Sequence, residues 1–173
     1  MTLKIQKISK IELKSLQKIA QESFFETYAA LNTVDKMNHY LKHNLSLSKL
    51  KEEFNNPSSA FYFAKVENRE VGYLKVNIGN AQTEPIFENA LEIERIYVLE
   101  QFQKRKVGKQ LLEKAVKIAK EQKLERIWLG VWIKNPNAIT FYKKQGFKEC
   151  GTHVFQFVDE AQTDVLMTLD LNY

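Results

Sequence analysis

The stretch from Leu91 to Lys123 constrains this chain more than any other. It opens with a strand-like run, Leu91 to Val98, and passes through a polar turn, Leu99 to Phe102. A basic loop follows, Gln103-Lys104-Arg105-Lys106-Val107-Gly108, and a helix pattern begins at Lys109. In that pattern Leu111, Leu112, Ala115, Ile118 and Ala119 recur at the spacing of one helical face. Strand, tight loop and helix form a phosphate-binding geometry. The first N–H groups of a helix have no internal acceptor, and the helix dipole places partial positive charge there. Three consecutive cations, Lys104, Arg105 and Lys106, strengthen that field. The stretch therefore predicts an anion site at the start of its helix.

The rest of the chain supplies layers around it. Leu3 to Ile8 alternates like a first strand. Ser9 and Glu12 have capping-box spacing ahead of a helix that carries Leu13, Leu16, Ile19, Ala20, Ser23, Phe24 and Thr27 and ends near Tyr28. Asp35 is positioned to cap a second helix bearing Met37, Tyr40, Leu41, Asn44 and Leu45, and a short third helix fits Leu47 to Phe54. Phe61–Val66 and Val71–Ile78 read as a hairpin turning at Asn68-Arg69. Arg126 to Trp132 is apolar on both alternating sets, as a strand covered on both faces would be. Asn135-Pro136 starts a further helix, which Gly146 ends. Two last strands, Phe147–Phe157 and Asp164–Leu171, are joined by a turn at Asp159 to Gln162. The main order is βααβββαβαββ. With no repeat and no linker, it predicts one α/β domain over residues 1–173 with a mixed sheet.

The net charge of +5 admits nucleic acid, an acidic surface or a small polyanion as partner. The lysines of the central helix (Lys109, Lys114, Lys117, Lys120 and Lys123) read as a solvated face opposite its core stripe. One cysteine, Cys150, excludes an internal disulfide framework and reads as a small buried thiol. The first ten residues lack a signal-peptide core and no apolar run is long enough to span a bilayer, so a cytoplasmic location is expected. His39 and His43 lie four apart without a third ligand, so no metal site is expected.

Two motifs then carry a family resemblance. The loop Gln103 to Gly108 resembles the acyl-CoA pyrophosphate loop of the GNAT N-acetyltransferases, Q/R-x-x-G-x-G/A. The run Asn135 to Phe147 is similar to that family's second signature, N-x-x-A-x-x-F/L-Y-x-x-x-G-F. Asp159 to Asp164 further resembles the PaiA-like polyamine acetyltransferases. One position departs: Lys106 stands where the loop has its first Gly, which permits positive φ and close approach to phosphate.

The resemblance implies the GNAT fold, a mostly antiparallel mixed sheet flanked by helices. It also implies acetyl-CoA as donor and a primary amine, of the polyamine class such as spermidine or spermine, as acceptor, attacked directly in a ternary complex. It assigns coenzyme contacts to Ile96, Tyr97, Val98, Gln103, Lys104, Arg105, Lys106, Val107, Gly108, Lys109, Asn135, Tyr142 and Lys144, with an N–H near Tyr97 or Val98 as oxyanion donor. Tyr142 is the candidate general acid. A free phenol holds its proton at neutral pH, although a tyrosine on this amphipathic helix also reads as core. Glu92 and Glu94, two apart on one strand face, are candidate bases, or partners of Arg95 or Lys75. Asn135 serves either as helix cap or as pantetheine contact. Among Glu22, Glu26, Tyr28, Asp35, His39 and Tyr40, the acceptor contacts expected are Glu26, Tyr28, His39 and Tyr40. Peptide acetylation and a non-enzymatic nucleic-acid-binding regulator are the alternatives. The expected assembly is a monomer or homodimer.

Overall fold

The computed structural model describes residues 1–172. Seven strands form one sheet in the order β1-β2-β3-β4-β5-β7-β6. They are β1 (Leu3–Lys7), β2 (Ser59–Val66), β3 (Arg69–Ile78), β4 (Ala90–Val98), β5 (Arg126–Trp132), β6 (Lys148–Phe157) and β7 (Glu160–Asp170). Among the described residues, only β4 and β5 pair in parallel. The helices are α1 (Leu13–Tyr28), α2 (Val34–Asn44), α3 (Leu47–Phe54), α4 (Val107–Glu121) and α5 (Pro136–Lys144).

Each face of the sheet buries its own core. On one side, Leu111, Leu112, Ala115 and Ala119 of α4 and Tyr142 of α5 pack on Leu74, Leu91, Ile93, Ile127, Leu129 and Val131. On the other, Leu16, Ile19, Ala20 and Phe24 of α1, with Met37 and Leu50, cover Phe61, Phe63 and Tyr73. These are the stripes the spacing predicts, except that Ile118 is only half-buried and Asn44 is exposed.

Local chemistry explains where boundaries differ from expectation. The Glu12 carboxylate accepts from the Ser9 N–H at 2.9 Å, so the capping box forms. Thr33, not Asp35, caps α2, because its hydroxyl accepts the Lys36 N–H at 3.2 Å; Asp35 lies inside the first turn, where its charge complements the dipole. The β2–β3 turn falls at Glu67-Asn68, both at positive φ, one residue earlier than expected. The last hairpin is longer than predicted: it turns at Val158-Asp159, and Glu160, Ala161 and Gln162 belong to β7. Its polar tip is solvated, so hydropathy alone conceals that strand. Cys150, expected to be buried, is exposed on the edge strand β6. Among the described residues, no helix is long and apolar enough to cross a membrane.

Two irregularities of β4 prepare the site. Lys75 pairs with Arg95 and Val76 with Ile93, so Glu94 is an extra, bulged residue. The bulge reverses the alternation: Leu91 and Ile93 face α4, and after it Ile96 and Val98 do. The β4–β5 pairing also stops after Glu92 and Trp128, while β5 stays on β7 as far as Trp132. Beyond that point β4 and β5 part.

Candidate active site

The expected anion-binding end is the start of α4. Its first helical bond runs from the Gln110 N–H to the Lys106 carbonyl at 3.1 Å, which leaves the N–H groups of Val107, Gly108 and Lys109 without intrahelical acceptors. The helix starts two residues before the expected Lys109. Val107 is buried and anchors the turn, whereas Gln103 to Lys106 are exposed. Lys106, at the position that departs from the glycine pattern, sits at φ 65°, ψ 9°. The lysine adopts the left-handed conformation a glycine would take freely, at a cost of about 1 kcal/mol. Lys106→Gly is therefore expected to raise the melting temperature by roughly 2–4 °C. It also removes one cation from the loop, so the stabilisation that coenzyme A adds should shrink; thermal unfolding with and without coenzyme A reads both effects.

The gap between β4 and β5 continues from this turn. The Leu99 N–H donates to the Val71 carbonyl at 2.9 Å. Ladder alternation then directs the main chain of Tyr97 toward β3 and that of Ile96 and Val98 into the gap. Of the two expected oxyanion donors, only Val98 keeps an N–H on that side, joined by Ile96. Gln103 Nε2 donates to the Val98 carbonyl at 3.1 Å and ties the loop to the strand. α5 borders the same end, since the Phe141 ring lies 3.7 Å from where a side chain on Gly108 would begin. Asn135 Oδ1 accepts the Ala138 N–H at 3.3 Å, as a cap should. Its Nδ2 has no partner among the described residues and stays available. Lys144 is exposed on the last turn and makes no ion pair among those residues.

Tyr142 is buried against Phe141 and Phe147, with ring centroids 5.2 and 5.6 Å away. Burial first, and then the nearby Tyr28 phenol, push its hydroxyl above the usual tyrosine range.

A cavity of about 290 Å³ opens on the opposite face of the sheet. Its wall is aromatic: Phe24 stacks on Tyr40 at 4.3 Å, Tyr28 leans on Trp132 at 5.4 Å, and Tyr73, Tyr97, Phe155 and Phe157 complete it. The Tyr28 and Tyr97 hydroxyls are 3.2 Å apart. Burial raises both phenols, and raises Tyr40 to about 12. Glu84, Glu92, Glu94 and Asp164 line the cavity, against Arg95 and His153.

Both candidate bases thus reach one space, in different company. Glu92 Oε1 accepts from Asn77 Nδ2 at 2.9 Å and from the Thr83 N–H at 2.8 Å, and Oε2 takes the Thr83 hydroxyl. Burial raises its carboxyl above the usual range despite these bonds. Glu94 pairs with the buried Lys75. Lys75 also meets Glu53 at 3.2 Å, and Arg95 grips Glu53 through both nitrogens at 2.7 and 2.9 Å.

Of the expected acceptor contacts, Tyr28 and Tyr40 line the cavity, but Glu26 and His39 do not. Glu26 is exposed and accepts the Glu100 N–H at 2.7 Å, fixing α1 to the turn after β4. His39 is exposed and packs on His43, one helical turn along α2. No cluster suited to a metal ion occurs among the described residues. The sequence reading missed Glu53, Glu84, His153 and Asp164, which come from a helix, a loop and two late strands. Only the tertiary fold gathers them. On α4, Lys109 and Lys117 sit 3.8 and 3.9 Å from Glu113 and Glu121, which makes that face solvated and internally paired.

Comparison with known proteins places this arrangement. The acetyltransferase (GNAT) family model matches residues 13–147. An uncharacterised N-acetyltransferase of Lactobacillus delbrueckii subsp. lactis is 39% identical over 165 residues, 95% of each chain. A spermidine N(1)-acetyltransferase of Thermoplasma acidophilum is 28% identical over 166 residues, 94% of this chain and 98% of the relative. The crystal structure of the PaiA N-acetyltransferase from T. acidophilum, in complex with coenzyme A, superposes with a TM-score of 0.80 at 26% identity, covering 99% of this chain and 100% of that one.

Proposed function

The chain belongs to the GNAT family of acetyltransferases, and on that premise we propose that its acceptor is a polyamine or a similar small amine with more than one positive charge. The donor is acetyl-CoA. When bound, it supplies an acetyl group already activated as a thioester, so the chain needs no nucleophile of its own. Three features fit it: unpaired N–H groups at the start of α4, main-chain groups of Ile96 and Val98 facing the gap, and the free Nδ2 of Asn135. The N–H groups of Val107, Gly108 and Lys109, with Lys104, Arg105 and Lys106, would hold the diphosphate. Ile96 and Val98 would align the acyl arm as an added strand does, with one N–H meeting the developing oxyanion.

The carrying observation is the cavity. Aromatic faces and four carboxylates attract an ammonium ion by cation–π contact and by charge. An amine must lose a proton before it attacks. Glu92 is the better base of the pair, because burial makes its carboxylate more basic, whereas Glu94 is engaged by Lys75. One lone-pair direction of Glu92 remains for a water that carries the proton. Tyr142 keeps its proton at neutral pH and would give it to the departing sulfur.

The test is acetyl-CoA turnover against polyamines, monoamines, amino acids, aminoglycosides and peptides, with products weighed by mass spectrometry. Polyamines are expected to give the highest kcat/KM. Turnover confined to peptide N-termini would replace this reading with peptide acetylation.

A further inference from the structure

Two neighbouring residues of the loop between β3 and β4 clasp the point where the β4–β5 ladder ends. Gln82 Oε1 accepts from Trp128 Nε1 at 2.7 Å, and Thr83 binds Glu92. Glu92 and Trp128 are the last paired residues of those two strands. The loop thus bridges the rung beyond which the gap opens, and the candidate base stands at its apex. A third tether, Glu84 Oε1 at 2.5 Å from His153 Nδ1 of β6, holds the loop from the other side.

The bonds on Glu92 divide unequally. Oε1 accepts from Asn77 Nδ2 at 2.9 Å and from the Thr83 N–H at 2.8 Å. Ser59 donates to Asn77 Oδ1 at 2.8 Å, which turns Nδ2 toward the carboxylate. Among the described residues, Oε2 takes only the Thr83 hydroxyl. A carboxylate has about four lone-pair sites, so the open one lies on Oε2, and the Thr83 hydroxyl decides which way it faces. The charged groups that share the cavity are Glu84 of the loop, Glu94 and Arg95 of β4, His153 of β6 and Asp164 of β7; β5 brings none to it. Lys75 of β3 is engaged by Glu94 and by Glu53 of α3. Burial keeps the phenols of Tyr28, Tyr40, Tyr73 and Tyr97 protonated. Burial also raises the Glu92 carboxyl, with the Glu94 charge adding to it, and the Thr83 hydroxyl makes the strongest of the bonds that act the other way.

We propose that Thr83 is a positioning residue for acetyl transfer: its N–H and hydroxyl grip both oxygens of Glu92 and leave one Oε2 lone pair open to the water that relays the proton of the ammonium group. This rests on the reading of Glu92 as the base. An N–H bond of the ammonium breaks, the water passes a proton on, and an O–H bond forms at Oε2, so only the amine and Glu92 change protonation.

The test is Thr83→Val, which keeps the branched shape and the N–H but deletes the hydroxyl, beside Thr83→Ser, which keeps the hydroxyl. Two readouts are compared with wild type: the NMR titration of the Glu92 carboxyl carbon with coenzyme A bound, and the acid limb of kcat/KM for spermidine at saturating acetyl-CoA. Losing a bond to the charged form should raise the Glu92 midpoint and the limb together in Thr83→Val by about one pH unit. Below the limb kcat/KM then falls about tenfold, and well above it stays within about threefold of wild type. Thr83→Ser is expected to return both readouts to within about 0.3 unit of wild type. Thermal stabilisation by coenzyme A, equal in all three proteins, checks the fold. An unmoved Glu92 midpoint in Thr83→Val, or an equal shift in Thr83→Ser, overturns the positioning role and leaves the base reading intact. A midpoint that moves while the limb stays overturns Glu92 as the base, and the role of Thr83 in the reaction falls with it.

Discussion

Tyr142→Phe is expected to lower kcat about a hundredfold, the usual contribution of a positioned general acid, while the KM for acetyl-CoA changes little. The ring stays. Its contacts with Phe141 and Phe147 use carbon alone, so packing and melting temperature should hardly move. On the proposed mechanism, what disappears is the one proton offered to the departing thiolate. Burial and the Tyr28 phenol raise that hydroxyl above its ordinary range, so it remains protonated through neutral and mildly alkaline pH. The variant's loss should therefore be constant from pH 7 to about 9, below the free phenol's value. Steady-state kinetics across that range is the measurement, and wild-type kcat in the variant would return Tyr142 to the core.

The second large effect concerns stability. Glu53→Gln is expected to cost about 3–5 kcal/mol, because it leaves Lys75 and Arg95 buried with Glu94 as their one remaining carboxylate. For a chain of this size that lowers the melting temperature by roughly 10 °C. Burial alone would raise the Glu53 carboxyl. The bonds and charges of Arg95 and Lys75 outweigh it, and the net shift is downward. A depressed folded value means that the contribution is complete above the unfolded carboxylate value of 4.5 and fades as pH falls through the lower, folded one. Wild-type and variant melting curves should thus lie far apart at pH 7 and converge in acid. A separation that does not narrow at all as pH falls below 4.5 would show that the loss comes from packing rather than charge.

That network marks the limit of sequence reading. The strands and the helix stripes were legible because each repeats a local period: two residues for β4, three to four for α4 and α1. Tyr28 and Tyr40 were legible as residues near the cavity from their place on the first two helices. Glu26 and His39 were not distinguishable from them, because a step of one or two residues turns a side chain around the helix from cavity to solvent. Glu53, Lys75 and Arg95 come from α3, β3 and β4, and no spacing relates them. The bulge at Glu94 left a trace: apolar residues fall on odd numbers at Leu91 and Ile93 and on even numbers at Ile96 and Val98. A regular strand would have kept one parity. With that slip recognised, Glu94 and Arg95 could both be assigned to the side of the sheet that faces the first helices.

The parting of β4 from β5 has a further consequence. Each strand is fastened along its outer flank, β4 to β3 and β5 to β7, so neither is free to swing and heal the seam. The opening is a fixture of the architecture and exists before any ligand arrives. Coenzyme recognition should then proceed with the backbone already in its bound shape, sparing the entropy that a disordered receptor would lose on docking.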